Sequence, residues 1–414
     1  MAETTKTLLQ KYDSLKFWET LEIKRRSADS TYDAAWLDIT SYLMDSSPTI
    51  TRKLDFDGFG FGEFFSGSAQ FMLDNASGAF NDEDTLYSLF YGYYARDFTQ
   101  VRYKAGYYDT DGTTKIDETV FTGLLIVDEF VSNLTDGQIS VTAIDMAGYL
   151  QYVQVPAAKF SAAQTYTQIV ETLFGLGNIA TFITHSGGNI NPAFNLTFDA
   201  PAAFNGKTVF EILVDITRKA NSVFYLDSSN NIIVEDRAVN AGTNFEFIGG
   251  YYGNKDTNIV EIVKAKDRYN MINSVGYVNT TLNELVSDAE ASLTKWGLHK
   301  FEFSGDDITN STTANSVCQI VKEAGKTPKA RYMVTTVYQP NVINFLGPCT
   351  ISYNNQVKPS SNPLIWNAAT YFNNGYFWNT VPLNVQISNN INFKYFGFEH
   401  RVRDGLTVNF LVEV

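Results

Sequence analysis

The sequence predicts a mainly β protein carrying an α+β insert, and three observations predict it. Aromatic residues make up 14% of the 414 residues, with 31 Phe and 24 Tyr, and such side chains suit the pleated, half-buried surface of a sheet. Two long regions alternate apolar and polar residues at period two and are cut by Gly and Asp-Gly turns. Between them, apolar residues recur at helical spacing. The hydrophobic share of 44% supplies a buried core and rules out disorder as the main state. The length exceeds one ordinary core and implies about two to four domains.

Residues 1–20 read as a polar N-terminal arm or short helix ending near Trp18. Residues 21–155 follow as a first antiparallel β-domain, closed into a barrel or sandwich. Its expected strands include Leu21–Arg26, Trp36–Thr40, Ser68–Leu73, Gln100–Gly106 and Gly123–Val127. Gly58-Phe59-Gly60-Phe61-Gly62 has no Lys or Ser/Thr after it and opens no helix, so it reads as an aromatic loop and not as a phosphate cradle.

The texture changes over residues 156–238. Ser161 is placed to cap a helix over Ala162–Phe174, where Tyr166, Ile169, Val170 and Leu173 share a stripe and Gly175 ends it. Asn205-Gly206-Lys207-Thr208 opens a second helix from Val209 to Ala220, with Val209, Ile212, Leu213 and Ile216 on one side. Val223–Asp227 and Asn231–Glu235 then form a hairpin around a polar turn. The result is a small α+β module of helix, helix and hairpin.

Strand texture returns over residues 239–414 as a second β-domain. It carries a helical insert at 311–324, on which Ala314, Val317, Cys318, Ile320 and Val321 share a side, and Pro328 forces an extended chain into Arg331–Val337. Residues 353–392 are rich in Asn, Pro, Ser and aromatics, too apolar for a linker, and read as an insertion packed on a neighbour. These domains need not be continuous in sequence. Asp136–Ile144 and Asp404–Val412 suggest an internal repeat: each is an Asp-Gly turn followed by an alternating strand. Each also follows an apolar strand holding a glycine, Gly123-Leu124-Leu125 and Phe396-Gly397-Phe398.

The charge balance excludes one broad class of function. Lys plus Arg number 31 against 45 for Asp plus Glu, a net charge of -14, so no basic face is large enough to grip nucleic acid by phosphate neutralisation. Cys318 and Cys349 lack partners at zinc spacing and read as free thiols of a reducing compartment. The N-terminal Met-Ala-Glu-Thr-Thr-Lys lacks a charged segment followed by an apolar one, and no run of about 18 apolar residues occurs, so neither export signal nor membrane helix is expected. An outer-membrane barrel shares the strand signature, but the missing export signal and the central helices weigh against it.

His185, His299 and His400 lie far apart, outside HExxH or any ligand-spaced cluster. The acid runs Asp306-Asp307 and Asp82-Glu83-Asp84 read as solvated charges, since neighbouring acids on a strand point to opposite faces. No GxSxG elbow, P-loop or dinucleotide fingerprint is present. The expectation is therefore no catalytic, cofactor-binding or metal-ligating residue, and no cofactor.

Several segments together resemble the tail-hub proteins of tailed bacteriophages. That group includes the central hub of contractile baseplates, the hub part of siphophage tail-tip proteins, the late control D proteins and the N-terminal part of VgrG. The similarity is carried in order by Phe71–Phe80, Val101–Gly106, the Phe-Thr-Gly step in Val120–Gly123, and Val141–Leu150, which closes in Asp145 and Leu150. The helix and hairpin from Thr208 to Glu235 are the most specific match, followed by Ser292–Gly297 and the Ala314–Ala324 helix. Gly347-Pro348-Cys349-Thr350 departs from the Gly-Asp-x-Val step of many relatives, and residues 353–392 have no counterpart.

The resemblance implies two tail-tube-like antiparallel barrels per chain, assembled as a homotrimeric, pseudo-six-fold ring in a virion tail or baseplate put together in the host cytoplasm. One face would meet the tail tube or a distal tail protein, and the other a separate spike or fibre protein, because the chain ends soon after its last strand without a lysozyme, peptidase or fibre extension. The tape measure protein is a further candidate partner. DNA would pass through without tight binding, and no stable membrane insertion is implied. Two rivals remain at this level: a tail-associated polysaccharide or peptidoglycan hydrolase, and a carbohydrate-binding module using aromatics such as Trp366 and Trp378.

Overall fold

Strict alternation is the local signature of the first β region. In Gln138–Asp145 every second side chain is buried, which a strand does when one of its faces lies on a core. The strands here are β1 (Phe17–Arg26), β2 (Leu37–Asp38), β3 (Thr49–Leu54), β4 (Phe65–Asp74), β5 (Ala95–Tyr107), β6 (Thr119–Leu125), β7 (Val131–Asn133) and β8 (Gln138–Asp145). The computed structural model describes residues 16–27, 31–45, 48–54, 65–81, 86–93, 95–109, 111–115, 119–126, 131–133, 137–177, 179, 182–227, 230–237, 245–250, 259–266, 271–327, 329–337, 346–354 and 392–413. Residues 1–15, the Gly58–Gly62 loop, Asp82-Glu83-Asp84 and nearly all of 353–392, Trp366 and Trp378 included, lie outside them.

Three local expectations change in this region. Phe17–Thr20 belong to β1 and do not end a helix, and the Trp18 indole N–H donates to the Tyr107 carbonyl at 3.1 Å. Of Trp36–Thr40 only Leu37–Asp38 is strand, because the Asp38 carboxylate accepts from the Thr40 N–H at 2.8 Å and starts a 3-10 turn over Thr40–Tyr42. β6 ends at Leu125 with Ile126 outside it, and the expected end at Val127 lies outside the described residues.

The central module contains β9 (Gln164–Thr165), α1 (Tyr166–Phe174), β10 (Ile190–Asn191), β11 (Thr197–Phe198), α2 (Val209–Lys219), β12 (Ser222–Leu226) and β13 (Ile232–Asp236). α1 is capped by Thr165 and Gln168 in a reciprocal capping box, not by Ser161, because Gln164–Thr165 is extended and pairs with β11. α2 starts where its pattern indicates, with Thr208 and Glu211 forming the same box. β12 and β13 form the expected hairpin, with β10 added parallel to β13.

The remaining elements are β14 (Phe245–Gly250), β15 (Ile259–Lys266), β16 (Ser274–Val278), β17 (Asn283–Ser287), α3 (Glu290–Trp296), β18 (Lys300–Ser304), α4 (Ser311–Gly325), β19 (Ala330–Val337), β20 (Pro348–Asn354), β21 (Asn392–Arg401) and β22 (Leu406–Glu413). Among the described residues no helix is long and apolar enough to cross a membrane.

One 14-stranded sheet dominates, ordered β15-β19-β22-β21-β3-β4-β8-β6-β5-β1-β2, with β7 on β8, β20 on β21 and β14 on β20. An order repeats inside it. The path β3-β4-β8-β6-β5-β1 is matched by β15-β19-β22-β21-β20-β14, and the chain visits corresponding strands in the same sequence. The last pair departs, since β1 joins β5 antiparallel and β14 joins β20 parallel. The glycines of the two Asp-Gly steps stand at corresponding places before β8 and β22, with Gly137 at φ +63 and Gly405 at φ +67. Antiparallel pairing of β21 with β3 joins both sets of strands in a single sheet.

Two cores result. One lies on the buried face of the sheet and includes Ile50, Ala69, Phe71, Leu73, Val141, Tyr332 and Leu411. The other is built on the module, where Tyr166, Ile169, Ile212 and Ile216 meet Ile272, Val275, Tyr277, Phe303, Val317 and Val321. Residues 272–321, which the sequence pattern groups with the second β region, therefore pack into the core of the module.

Candidate functional site

The groups that could have made an active site stand apart. His185 lies against Phe174 with ring centroids 6.1 Å apart, and His299 Nε2 sits 3.0 Å from the Trp296 carbonyl. His400 is buried on β21 with Nδ1 2.8 Å from Thr407 Oγ1, and burial pushes its imidazole down to about 3. Cys318 and Cys349 are both buried free thiols, pushed up by that burial. Among the described residues no group of three or more His, Cys, Asp and Glu is placed to hold a metal ion.

The acid pair is divided by its surroundings. Asp306 is exposed, whereas Asp307 is buried and accepts from Lys219 Nζ at 2.8 Å and from the Tyr277 hydroxyl at 3.1 Å. Lys219 also donates to Asp215 at 2.8 Å. This network ties α2 to the β17-β16-β18 sheet in a water-poor interior, which makes it a positioning element. Adjacency in sequence gave no sign that Asp307 would be taken up by Lys219.

What the fold does bring together is a polar face. Every second residue of the large sheet points away from the core, and the register aligns those residues into rows across strands of both sets. One row runs Thr142, Gln70, Thr49, Arg401 and Leu406. The next runs Ser68, Thr51, Glu399, Val408, Thr335 and Glu261, and ends on β8 at Ile144, which packs against the core of the module. On β3 and β4, and at Thr142 of β8, this face is hydroxyl and amide, whereas β21 brings the charged Arg401 and Glu399 and β22 the apolar Leu406 and Val408.

Several of its cations have acidic or aromatic partners. Arg401 Nε meets Glu399 at 2.9 Å, and Arg102 meets Glu22 at 2.8 Å. The Arg102 guanidinium also lies 4.3 Å from the Trp36 ring centroid, with Lys24 at 5.3 Å, and Lys53 stands 5.6 Å from the Phe410 ring. Such a surface offers weak, exchangeable hydrogen bonds and no nucleophile paired with a base. Period two marked each strand of the face in the sequence, but the rows needed the long-range register.

At the margin of this face a buried acid fixes the sheet to the module. Asp145 Oδ2 accepts from the Gly67 N–H at 2.7 Å and Oδ1 from the Gly148 N–H at 3.0 Å. Burial pushes its carboxyl up to about 6, opposed by the Arg52 guanidinium and by those backbone donors. Arg52 reaches from β3 to donate to the Leu226 carbonyl at the end of β12. Asp145 stood in a family-like motif, whereas nothing in the sequence marked Arg52.

The sequence matches no protein-family model and no curated protein. The fold has clear counterparts among solved structures. The chain is similar to the 43 kDa tail protein of prophage MuSo2 from Shewanella oneidensis, at 13% identity and a TM-score of 0.50, over 95% of this chain and 97% of that one. It is similar to a tail protein from Neisseria meningitidis at 11% identity and a TM-score of 0.52, over 96% of both chains. It also matches a chain of the lidded Francisella PdpA–VgrG complex at 8% identity and a TM-score of 0.53, over 97% of this chain and 53% of that one. The fold is that of phage tail proteins, in agreement with the tail-hub resemblance of the motifs.

Proposed function

We propose that this chain is a structural hub at the distal end of a phage tail, where it adapts a hexameric tail tube to a trimeric tip and lines the channel through which the genome leaves. The observation that carries the reading is the repeated strand order joined in one sheet. A chain that presents two equivalent sets of strands supplies six such sets as a trimer, and so meets a six-fold tube with a three-fold tip. In this reading residues 21–155 and 239–414 furnish the tube-like domains, and the module of residues 156–238 packs with residues 272–321 beside them.

The polar face supports a channel wall. Three copies at -14 each carry -42, and a wall with neutral hydroxyls and amides, several of its cations paired, keeps contacts to a passing duplex weak. A cationic wall would hold phosphates by counterion release and stall the passage. The tail tube or a distal tail protein occupies one side, a separate spike or fibre protein the other, and the tape measure protein contacts the lumen before release. The role is non-enzymatic.

The mass of the purified assembly tests the reading. Sedimentation is expected to give a trimer that caps isolated tail tubes. A well-folded monomer at micromolar concentration, or a cleared zone on cell-wall substrate abolished by one Asp or Glu substitution, would overturn it.

A further inference from the structure

The repeated strand order contains one junction that the chain makes with itself and a second position where, among the described residues, it makes none. β21 is shared between two neighbours: its first residues pair with β20, and Gly397–Arg401 pair with β3. The corresponding stretch in the first set is β6 followed by β7, of which β6 pairs with β5 and β8, and β7 pairs with β8. Among the described residues β7 pairs with no other strand, and β15 pairs only with β19.

The two halves align residue by residue. With Gly137 set on Gly405, Gln138 faces Asp74 as Leu406 faces Val337, so Gln70 corresponds to Met333. Their partners Thr49 and Val263 then correspond on β3 and β15. By the same alignment Val131, Ser132 and Asn133 stand where Glu399, His400 and Arg401 stand on β21.

Exposed apolar side chains lie beside this edge, Val263 and its β19 partner Met333 on the outward face of the sheet. Val260 is 60% exposed, Val263 40% and Met333 41%, whereas Thr49 and Gln70, the counterparts of the last two, are polar. An unpaired strand edge with exposed apolar side chains invites strand pairing and is normally covered.

We propose that β15 of one chain pairs antiparallel with β7 of a second copy. Asn133, Ser132 and Val131 then lie opposite Val263, Lys264 and Ala265, in the register in which Arg401, His400 and Glu399 lie opposite Thr49, Ile50 and Thr51 within the chain. The inference rests on the hub reading and names the contact that closes its ring. Because β7 and β15 are different surfaces, the contact is head-to-tail, and internal and inter-chain junctions alternate around the assembly.

Paired cysteines in the full-length chain test the register. The chain carrying Asn133→Cys and Val263→Cys is expected to give covalently linked chains after mild oxidation, up to a closed trimer on a non-reducing gel, while each single variant gives none. The pair Asn133→Cys with Glu261→Cys is expected to link about tenfold less, because Cα atoms more than about 7 Å apart are not bridged by a disulfide. The native Cys318 and Cys349 are buried. A trimer that fails to link, or that links equally through the shifted pair, overturns the pairing and leaves the hub reading standing, whereas a folded monomer overturns both. Should the cysteines disturb folding, Val263→Arg serves: it is expected to keep the circular dichroism of the native chain and to shift particles from trimer to monomer. A trimer unaffected by Val263→Arg overturns the proposal.

Discussion

Asp145 and His400 are buried titratable groups with opposite effects on stability. The Asp145 oxygens accept backbone N–H groups, among them those of Gly67 and Gly148, and Gly67 has no room for a side chain, because a Cβ there would meet Asp145 Oδ2 at 2.9 Å. In Asp145→Asn one N–H would face an amide donor and Arg52 would lose its counter-charge, which is expected to cost about 2–4 kcal/mol in urea denaturation at neutral pH. The pH dependence follows from linkage. Folded Asp145, near 6, holds its proton more tightly than the unfolded chain, near about 4, so its contribution falls as pH rises through that window. Folded His400, near 3, holds its proton less tightly than the unfolded imidazole, near about 6.5, so its contribution is lost as pH falls from 6.5 toward 3. Stability measured from pH 7 to pH 4 is therefore expected to drop less in His400→Gln than in the native chain, and more steeply in Asp145→Asn. Equal slopes in all three would contradict both assignments. The sequence offered His400 only as a histidine without ligands, because its burial depends on β3, β21 and β22 meeting.

The junction of β21 with β3 turns on one glycine. Gly397 has φ +139, and a Cβ there would collide with the Arg52 carbonyl oxygen and with Lys53 Cα across the strand pair. Gly405 has φ +67 with nothing within 4 Å of the same position. Gly397→Ala is accordingly expected to cost on the order of 3 kcal/mol, and Gly405→Ala about 1 kcal/mol, by chemical denaturation. Similar costs for the two would mean that the close approach of the strands is not what Gly397 provides. At this scale the sequence was informative wherever the signal is local. The α2 start at Thr208 and Glu211, the β12–β13 hairpin and the α4 stripe are each set by residues within a few positions of one another. The α1 start was misplaced to Ser161 because β11, some 30 residues downstream, draws Gln164–Thr165 into a strand pair. No local pattern reports that partner.

For the whole molecule, the two Asp-Gly turns hinted at a duplication that the strand order extends to six strands on each side, while the rows of the polar face had no sequence trace at all. Alternation says that Thr49, Gln70 and Thr142 leave the core, but only pairing between distant strands puts them side by side. Their neutrality is the property that the channel reading depends on, and it can be removed. Gln70→Lys with Thr142→Lys adds six positive charges to a trimer, and if these rows line the lumen the charges sit where a threading duplex must pass. The variant is expected to assemble as the native chain does and to gain binding to linear duplex DNA whose affinity falls steeply with salt, by a logarithmic slope of about -0.9 for each phosphate neutralised. Gln319→Lys, on the exposed side of α4, adds charge off these rows and is expected to leave DNA binding unchanged. Phage carrying the double lysine should adsorb normally and release their genome more slowly. If the double lysine variant binds duplex no better than Gln319→Lys, the polar face does not line the path of the DNA, and the neutral rows would then have to face another protein of the tail.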